Sequence, residues 1–213
     1  MGKRISIFFV LLFALTSILY SQNLKIQKIN KFCEDLDEQI DLEESARNYI
    51  MIHEINFESN VRAIGKQYTS IKFFYTQPQD TLIEKNGSEI FKDIYKFPLK
   101  IMVDYNVAMS RKVSVDYYPD EKGDLIYYHY ITIGAYYNGE EFIYFENGIP
   151  VKMQYKVANI EHNELYDLMN YDKDSDFSAV DINKCKTILK NWNNYKKIFE
   201  QIIFAEKIDK ETN

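Results

Sequence analysis

The chain has 213 residues, of which 46% are hydrophobic and 27% charged, and its formal net charge is −6 at pH 7. This length suits one domain with a sizeable core. An acidic chain without a concentrated lysine and arginine tract is not expected to bind nucleic acid, because phosphate contacts require clustered positive charge.

The amino terminus has the parts of a secretory signal peptide. Two basic residues precede an uncharged, mostly apolar run over residues 5–20, and Ser21 then offers a small residue at a cleavage point. The run is shorter than the roughly 20 residues that a membrane-spanning helix needs. We therefore predict a signal peptide over residues 1–21. An uncleaved N-terminal anchor is the alternative, which the bulky Leu19 near the cut favours.

This leader predicts an exported protein of the periplasm, the cell surface or the medium. Basic residues are almost all lysine, tyrosine is abundant at 18 residues, and glycine and proline are scarce at 7 and 4. Such a composition is typical of AT-rich bacterial genomes, so the expected destination is a bacterial envelope or the medium. No second long apolar run follows, and no stable membrane insertion is expected after cleavage.

The next segment predicts an amphipathic helix from Leu24 to about Ala46. Its apolar residues recur at spacings of three and four and so share one stripe; they are Ile26, Ile29, Cys33, Leu36 and Ile40. Residues 48–57 fit a strand better than a continued helix. Residues 69–76 have strand composition, and a polar connection around Asn86-Gly87 follows, with a short helix over 90–95.

The middle of the chain predicts an antiparallel meander. Apolar residues alternate with mostly polar ones from Leu99 to Met109, and Val113, Val115 and Tyr117 continue the alternation, as expected of half-buried strands. A proline–glycine turn over 119–123 leads to an aromatic strand over 125–137. Asn138-Gly139 and Asn147-Gly148 each predict a hairpin turn, because Asn-Gly accepts positive φ at both central positions.

The chain closes with a second predicted amphipathic helix, over about 179–207. Ser178 and Asp181 have the spacing of a capping box, and a broad apolar stripe that includes Trp192 follows. The expected fold class is α+β: one domain over residues 22–213, with a central antiparallel sheet over about 48–158. An N-terminal and a C-terminal amphipathic helix are expected to cover one face of that sheet.

Two cysteines, Cys33 and Cys185, each lie in the apolar stripe of a predicted terminal helix. In an oxidising compartment an even count predicts a disulfide, here between the two helices. Two separate buried thiols are the alternative, since cysteine packs as a small hydrophobe. Neither residue has a partnered histidine or an activating motif in the sequence, so no catalytic residue is assigned.

The sequence offers no metal or cofactor motif. Residues 172–178 alternate acids like the start of a calcium loop, but Phe177 stands where glycine is needed and Asn183 where the bidentate glutamate is needed. The histidines, His53, His129 and His162, lack zinc-ligand spacing. Strand parity places His129 toward the core face, where a hydrogen-bonded structural histidine is the expected role.

Tyrosines crowd into the meander and suggest a binding platform. Tyr128, Tyr130 and Tyr136 are the best candidates, because all three have the parity opposite to Leu125, Ile131 and Ile133, which we assign to the core. The alternative is cross-strand aromatic pairing, which stabilises sheets without any ligand.

These observations predict a non-enzymatic binding module of the cell envelope that uses the tyrosine-rich sheet face. Its partner is expected to be a protein or an envelope glycan. The alternative function is a small-ligand carrier or an enzyme with a cavity between the sheet and the helices. An apolar pocket with convergent polar groups favours the alternative, and a filled core with a flat aromatic face favours the first prediction.

Overall fold

The computed structural model describes residues 22–41, 50–61, 65–76, 82–83, 89–90, 97–107, 111–134, 137–161, 164–174 and 176–212. The chain divides into two compact units, Met1–Arg47 and Asn48–Asn213. The prediction of one domain over residues 22–213 stays a prediction.

The first unit contains helix α1 over residues 22–41, which confirms the helix expected there. Its buried apolar residues are Ile26, Cys33 and Leu36, spaced by seven and three, so they share one side of the helix. Residues 42–46 of the predicted helix lie outside the described residues. The predicted covering of a sheet face by this helix stays a prediction.

The second unit is built from ten strands and one helix. The strands are β1 (Ile50–Val61), β2 (Gly65–Thr76), β3 (Leu82–Ile83), β4 (Glu89–Ile90), β5 (Lys100–Val107), β6 (Arg111–Pro119), β7 (Leu125–Ile133), β8 (Tyr137–Glu146), β9 (Ile149–Glu161) and β10 (Glu164–Lys173), and helix α2 spans Ala179–Thr212.

Eight of these strands form one sheet in the order β1-β2-β5-β6-β7-β8-β9-β10, and every pair is antiparallel. The predicted meander and the α+β class are therefore confirmed. The β3–β4 pair is separate and lies in the connection between β2 and β5. Ile90 belongs to β4 and not to the predicted short helix, whose remaining residues lie outside the described part. Strand β10 replaces much of the polar connection expected after residue 158.

The two Asn-Gly pairs have different roles. Asn147 and Gly148 have φ of 52° and 73° and form the turn between β8 and β9, as predicted. Asn138 and Gly139 lie inside β8, so the turn predicted there is wrong. A Cβ on Gly139 would lie 3.0 Å from the methyl carbon of Thr132, its partner in β7. This glycine therefore allows close packing within a strand.

The predicted capping box begins helix α2. The backbone N–H of Asp181 donates to Ser178 Oγ at 3.2 Å, and the N–H of Ser178 donates to Asp181 Oδ2 at 2.9 Å. These reciprocal bonds satisfy donors that the first helical turn otherwise leaves free. Lys173 Nζ also lies 2.8 Å from Asp181 Oδ2, which joins the end of β10 to the helix.

Helix α2 packs against the sheet through aromatic side chains. The Trp192 ring stacks on Tyr117 with centroids 6.4 Å apart, and Phe199 contacts Phe73 at 5.8 Å and Tyr75 at 5.2 Å. The Trp192 indole N–H also donates to the carbonyl of Gly123 at 3.3 Å. The 119–123 turn is thus held against the helix. We call this side of the sheet the α2 face and the other side the opposite face.

The structure corrects the predicted assignment of faces. Leu125 is in the core that contains α2, as are Tyr117 and Tyr128. A bulge at the start of β7 breaks the alternation, since Tyr118 pairs with Tyr127 and Pro119 pairs with Leu125. The parity inferred from Leu125 therefore does not extend to the rest of the strand. Tyr128 faces α2, whereas Ile131 and Ile133 lie on the opposite face.

Candidate functional site

The opposite face carries a cavity of about 580 Å³ across strands β1, β2, β5, β6 and β7. This volume lies within the range of small-ligand sites. Five neighbouring strands contribute its lining residues, which are Asn56, Phe57, Glu58, Tyr68, Thr69, Ser70, Asp104, Tyr105, Asn106, Lys112, Val113, Ser114, Ile131 and Ile133. No residue of α2 lines the cavity, which lies on the other side of the sheet from that helix.

The cavity lies where the β2–β5 ladder ends. Backbone pairing of these strands stops at Thr69 and Tyr105, although β2 continues to Gly65 in its hairpin with β1. The Asn106 side chain bridges the gap: its Oδ1 accepts from the N–H of Tyr68, and its Nδ2 donates to the carbonyl of Lys66 at 3.0 Å. One amide thus fixes the separation of the two strands at the cavity.

Apolar side chains form the two ends of the cavity. Tyr68, which is 50% exposed, lies at the β2 end of the cavity, whereas Phe57 pairs with Thr69 and so shares the α2 face with Tyr105 and Val113. Ile133, 53% exposed, lies at the β7 end with Ile131. Lys66 Nζ lies 5.0 Å from the centroid of the Tyr68 ring and holds one side of that ring. These exposed groups are the apolar surface that a ligand would bury.

Three polar side chains lie between the apolar ends. Asp104 on β5 pairs across the ladder with Ser114 on β6, and Lys112 is two residues before Ser114 on the same strand. Among the residues that the structure describes, these three side chains have no hydrogen-bond or ion-pair partner. The neighbouring polar groups are already occupied: Ser70 donates to Glu54 at 2.8 Å, and Glu58 pairs with Lys66. A carboxylate, an ammonium and a hydroxyl group are thus left for a ligand.

The described tyrosines of the predicted platform, Tyr128 and Tyr130, lie on the α2 face of the sheet. Tyr128 is buried in the α2 core, and Tyr130 is partly buried against it. Desolvation raises the pKa of the Tyr128 hydroxyl, with Tyr117 adding to the shift, so the group stays protonated. Tyr136 lies outside the described residues. The structure therefore corrects the expected exposure of Tyr128 and Tyr130.

The meander tyrosines instead pair across strands. The rings of Tyr117 and Tyr128 have centroids 5.4 Å apart on the α2 face, and Tyr127 contacts Tyr118 at 5.4 Å and Tyr144 at 5.0 Å on the opposite face. All five are buried. Cross-strand pairing, the alternative explanation of the tyrosine content, is confirmed for these residues.

The predicted disulfide between Cys33 and Cys185 is not formed in the structure, where both thiols are buried. Burial raises the pKa of the Cys185 thiol to about 11, and the nearby Glu141 carboxylate adds to that shift. The thiolate that would attack a disulfide or a substrate is therefore scarce at neutral pH. Cys185 acts as a packed apolar group, which was the alternative.

Glu141 is a buried carboxylate that sequence reasoning missed. Glu140 and Glu141 directly follow the predicted Asn138-Gly139 turn, where exposed side chains are expected, but Glu141 lies in β8 at 1% exposure and its Oε2 is paired with Lys184 of α2. Its Oε1 has no hydrogen-bond partner among the described residues. The in-strand position of Gly139 explains the error, because alternation from that residue directs Glu141 to the α2 face.

His129 and Lys152 each have structural partners. His129 lies on the opposite face, not the core face predicted for it, where its Nε2 is 2.9 Å from Glu140 Oε1 and its ring stacks on Phe142 at 4.6 Å. Lys152 pairs with Asp172 at 2.9 Å and with Asp174 at 3.0 Å. Burial alone lowers the pKa of Lys152, but its bonds to the two carboxylates outweigh that effect and raise it.

No family model matches this chain, and no curated protein or solved structure is significantly similar to it. Within the described ranges, no three histidine, cysteine or acidic residues group as metal ligands would. None of the helices in that part of the chain is long and apolar enough to cross a membrane.

Proposed function

We propose that this protein is an exported, non-enzymatic binding protein that holds a small amphipathic ligand in the opposite-face cavity. The observation that carries the proposal is the cavity itself, with exposed apolar ends and three polar side chains that lack partners between them. Ligand sites in proteins commonly combine a mostly apolar lining with a few placed polar groups. This proposal keeps the binding role expected from the sequence and moves the site away from Tyr128 and Tyr130.

A binding role is supported over catalysis by the state of the candidate reactive groups. The Cys185 thiol is buried with a raised pKa, and Glu141 is paired with Lys184 on the face away from the cavity. Neither group lines the cavity. A ligand held there would be bound by shape, apolar contact and hydrogen bonds.

Fluorescence of a neutral apolar dye, N-phenyl-1-naphthylamine, tests the proposal. The purified protein is expected to enhance dye fluorescence saturably with one site per chain. Ile133→Asp is expected to weaken dye binding at least tenfold, because burying an isoleucine side chain contributes about 1.5–3 kcal/mol.

The matched control is Ile149→Asp, which changes an isoleucine of similar exposure (63%) at the β8–β9 turn, outside the cavity lining. We expect this variant to bind the dye like the parent protein. Equal weakening by both substitutions, or linear and unsaturable dye fluorescence, would refute the proposal. Circular dichroism verifies that both variants are folded.

A further inference from the structure

We infer that the ligand of the cavity is a short apolar peptide in extended conformation, an inference that rests on the proposed function. A peptide unit presents an N–H donor next to a C=O acceptor, and apolar side chains project on either side of it. The cavity offers the matching arrangement, with Asp104, Ser114 and Lys112 between its apolar ends.

The charges of the cavity match a peptide group well. Asp104 can only accept hydrogen bonds when ionised, Lys112 can only donate them, and the Ser114 hydroxyl does both. Asp104 would accept from a ligand N–H, and Lys112 would donate to a ligand C=O. A purely apolar ligand would leave all three polar groups without partners and would bind less favourably.

The dimensions set the length of the peptide. The apolar ends lie on β2 and β7, which are separated by three interstrand steps in the order β2-β5-β6-β7. At about 4.8 Å per step these ends lie roughly 14 Å apart. An extended chain advances by about 3.4 Å per residue, so about four residues connect the two ends. A single amino acid is too short to contact both Tyr68 and Ile133.

Calorimetric titration with a blocked tetrapeptide, acetyl-Leu-Ala-Ala-Phe-amide, tests this inference. We expect saturable binding that displaces the naphthylamine dye. Asp104→Ala is expected to weaken peptide binding roughly tenfold or more, because a hydrogen bond to a charged group is lost. Replacing the peptide's central amide by an ester removes its N–H, and this analogue should bind the parent more weakly but lose little further affinity in Asp104→Ala.

Glu121→Ala serves as the control, because it makes the same change of charge at an exposed acid in the turn before β7, outside the cavity lining. It should change peptide affinity less than twofold. Equal weakening by Glu121→Ala and Asp104→Ala would overturn the inference, since net charge would then explain the effect. Equal affinity of the ester and the amide for the parent would overturn it as well.

The combined results with the dye and the peptide distinguish a failure of the peptide inference from a failure of the proposed function. Saturable, Ile133-dependent dye binding without peptide binding overturns the inference and leaves the proposed function standing. Absence of binding by both probes overturns both. Displacement of the dye by an N-acetylglucosamine disaccharide but not by the tetrapeptide would identify a glycan site and overturn the peptide inference.

Discussion

The burial and pairing of individual side chains determine which groups of this protein can react or bind a ligand. Cys185 is 1% exposed, and its thiol pKa is raised to about 11 by burial. Asp104 and Lys112 are chemically ordinary charged residues, but they line a cavity and lack partners in the described part of the chain. Burial thus lowers the reactivity of the thiol for which the sequence predicted a disulfide, whereas Asp104 and Lys112, which the sequence analysis did not single out, are available to a ligand.

The thiols provide a prediction at this scale. The native protein should react slowly with iodoacetamide at pH 8, because both cysteines are buried and the Cys185 thiol is protonated. In guanidinium chloride without reductant, both should be alkylated within minutes. Mass spectrometry counts the labelled residues, and Cys185→Ser identifies which thiol reacts first. Alkylation only after reduction would mean that the disulfide expected from the sequence forms in solution.

At the scale of elements, short polar contacts fix where strands and helices begin and turn. The capping box between Ser178 and Asp181 starts α2, and Lys173 ties it to β10. The bond from Lys173, followed by the backbone N–H of Ser178, lowers the pKa of Asp181 to about 2. The capping pair is visible in the sequence, whereas the contact from Lys173 depends on β10, which the sequence analysis did not predict.

This junction predicts a specific pH dependence of stability. The pKa of Asp181 is lower in the folded state than in the unfolded chain, where it is about 3.9. Its stabilising contribution is therefore full above pH 4 and is lost as the pH falls toward 2. Asp181→Asn should lower Tm by about 2–4 °C at pH 6, for a loss of about 1 kcal/mol. The difference should shrink between pH 4 and pH 2.

Thermal unfolding of both proteins across this pH range measures the effect. Asp176→Asn, an exposed acid near the same helix start, is the control and should show no such convergence. A Tm difference between Asp181→Asn and the parent that is as large at pH 2 as at pH 6 would contradict the assignment.

Local sequence patterns predict some of the strands, turns and caps of this protein correctly and others incorrectly. Capping residues, strand alternation and the Asn147-Gly148 turn depend on neighbours in the chain, and the sequence predicts them correctly. Asn138-Gly139 has the same local pattern, but Gly139 is needed for contact with Thr132 and lies in a strand. The face of Tyr128 depends on a bulge near Leu125, which alternation cannot reveal.

At the scale of the whole molecule, the meander brings together residues that are far apart in the sequence. The cavity combines β1 and β2 with β5, β6 and β7, across the β3–β4 insertion. Composition and spacing could predict an antiparallel sheet in an α+β protein. They could not predict a cavity that depends on the register of five strands and on the point where one ladder ends.

Export is the prediction that belongs to the whole chain. The apolar run over residues 5–20 should direct the protein out of the cytoplasm of a bacterial host and be removed after Ser21. N-terminal sequencing of the exported form is expected to begin at Gln22. An Arg4→Glu, Lys3→Glu variant should accumulate uncut in the cytoplasm. Full-length parent protein, dissolved inside the cell with Met1 attached, would contradict the leader and the proposed envelope role.

The bridge that Asn106 makes to β2 has a consequence for how fast and how tightly this protein can take up its ligand. The Asn106 side-chain amide replaces the backbone hydrogen bonds that are missing between β2 and β5 at this point. The two strands are therefore held at a fixed separation before a ligand binds. A cavity that already has its bound shape loses little binding free energy to the ordering of strands. Asn106 thereby acts as a spacer between β2 and β5. Its loss would let the β1–β2 hairpin move relative to β5 and would reduce the selectivity of the cavity for its ligand.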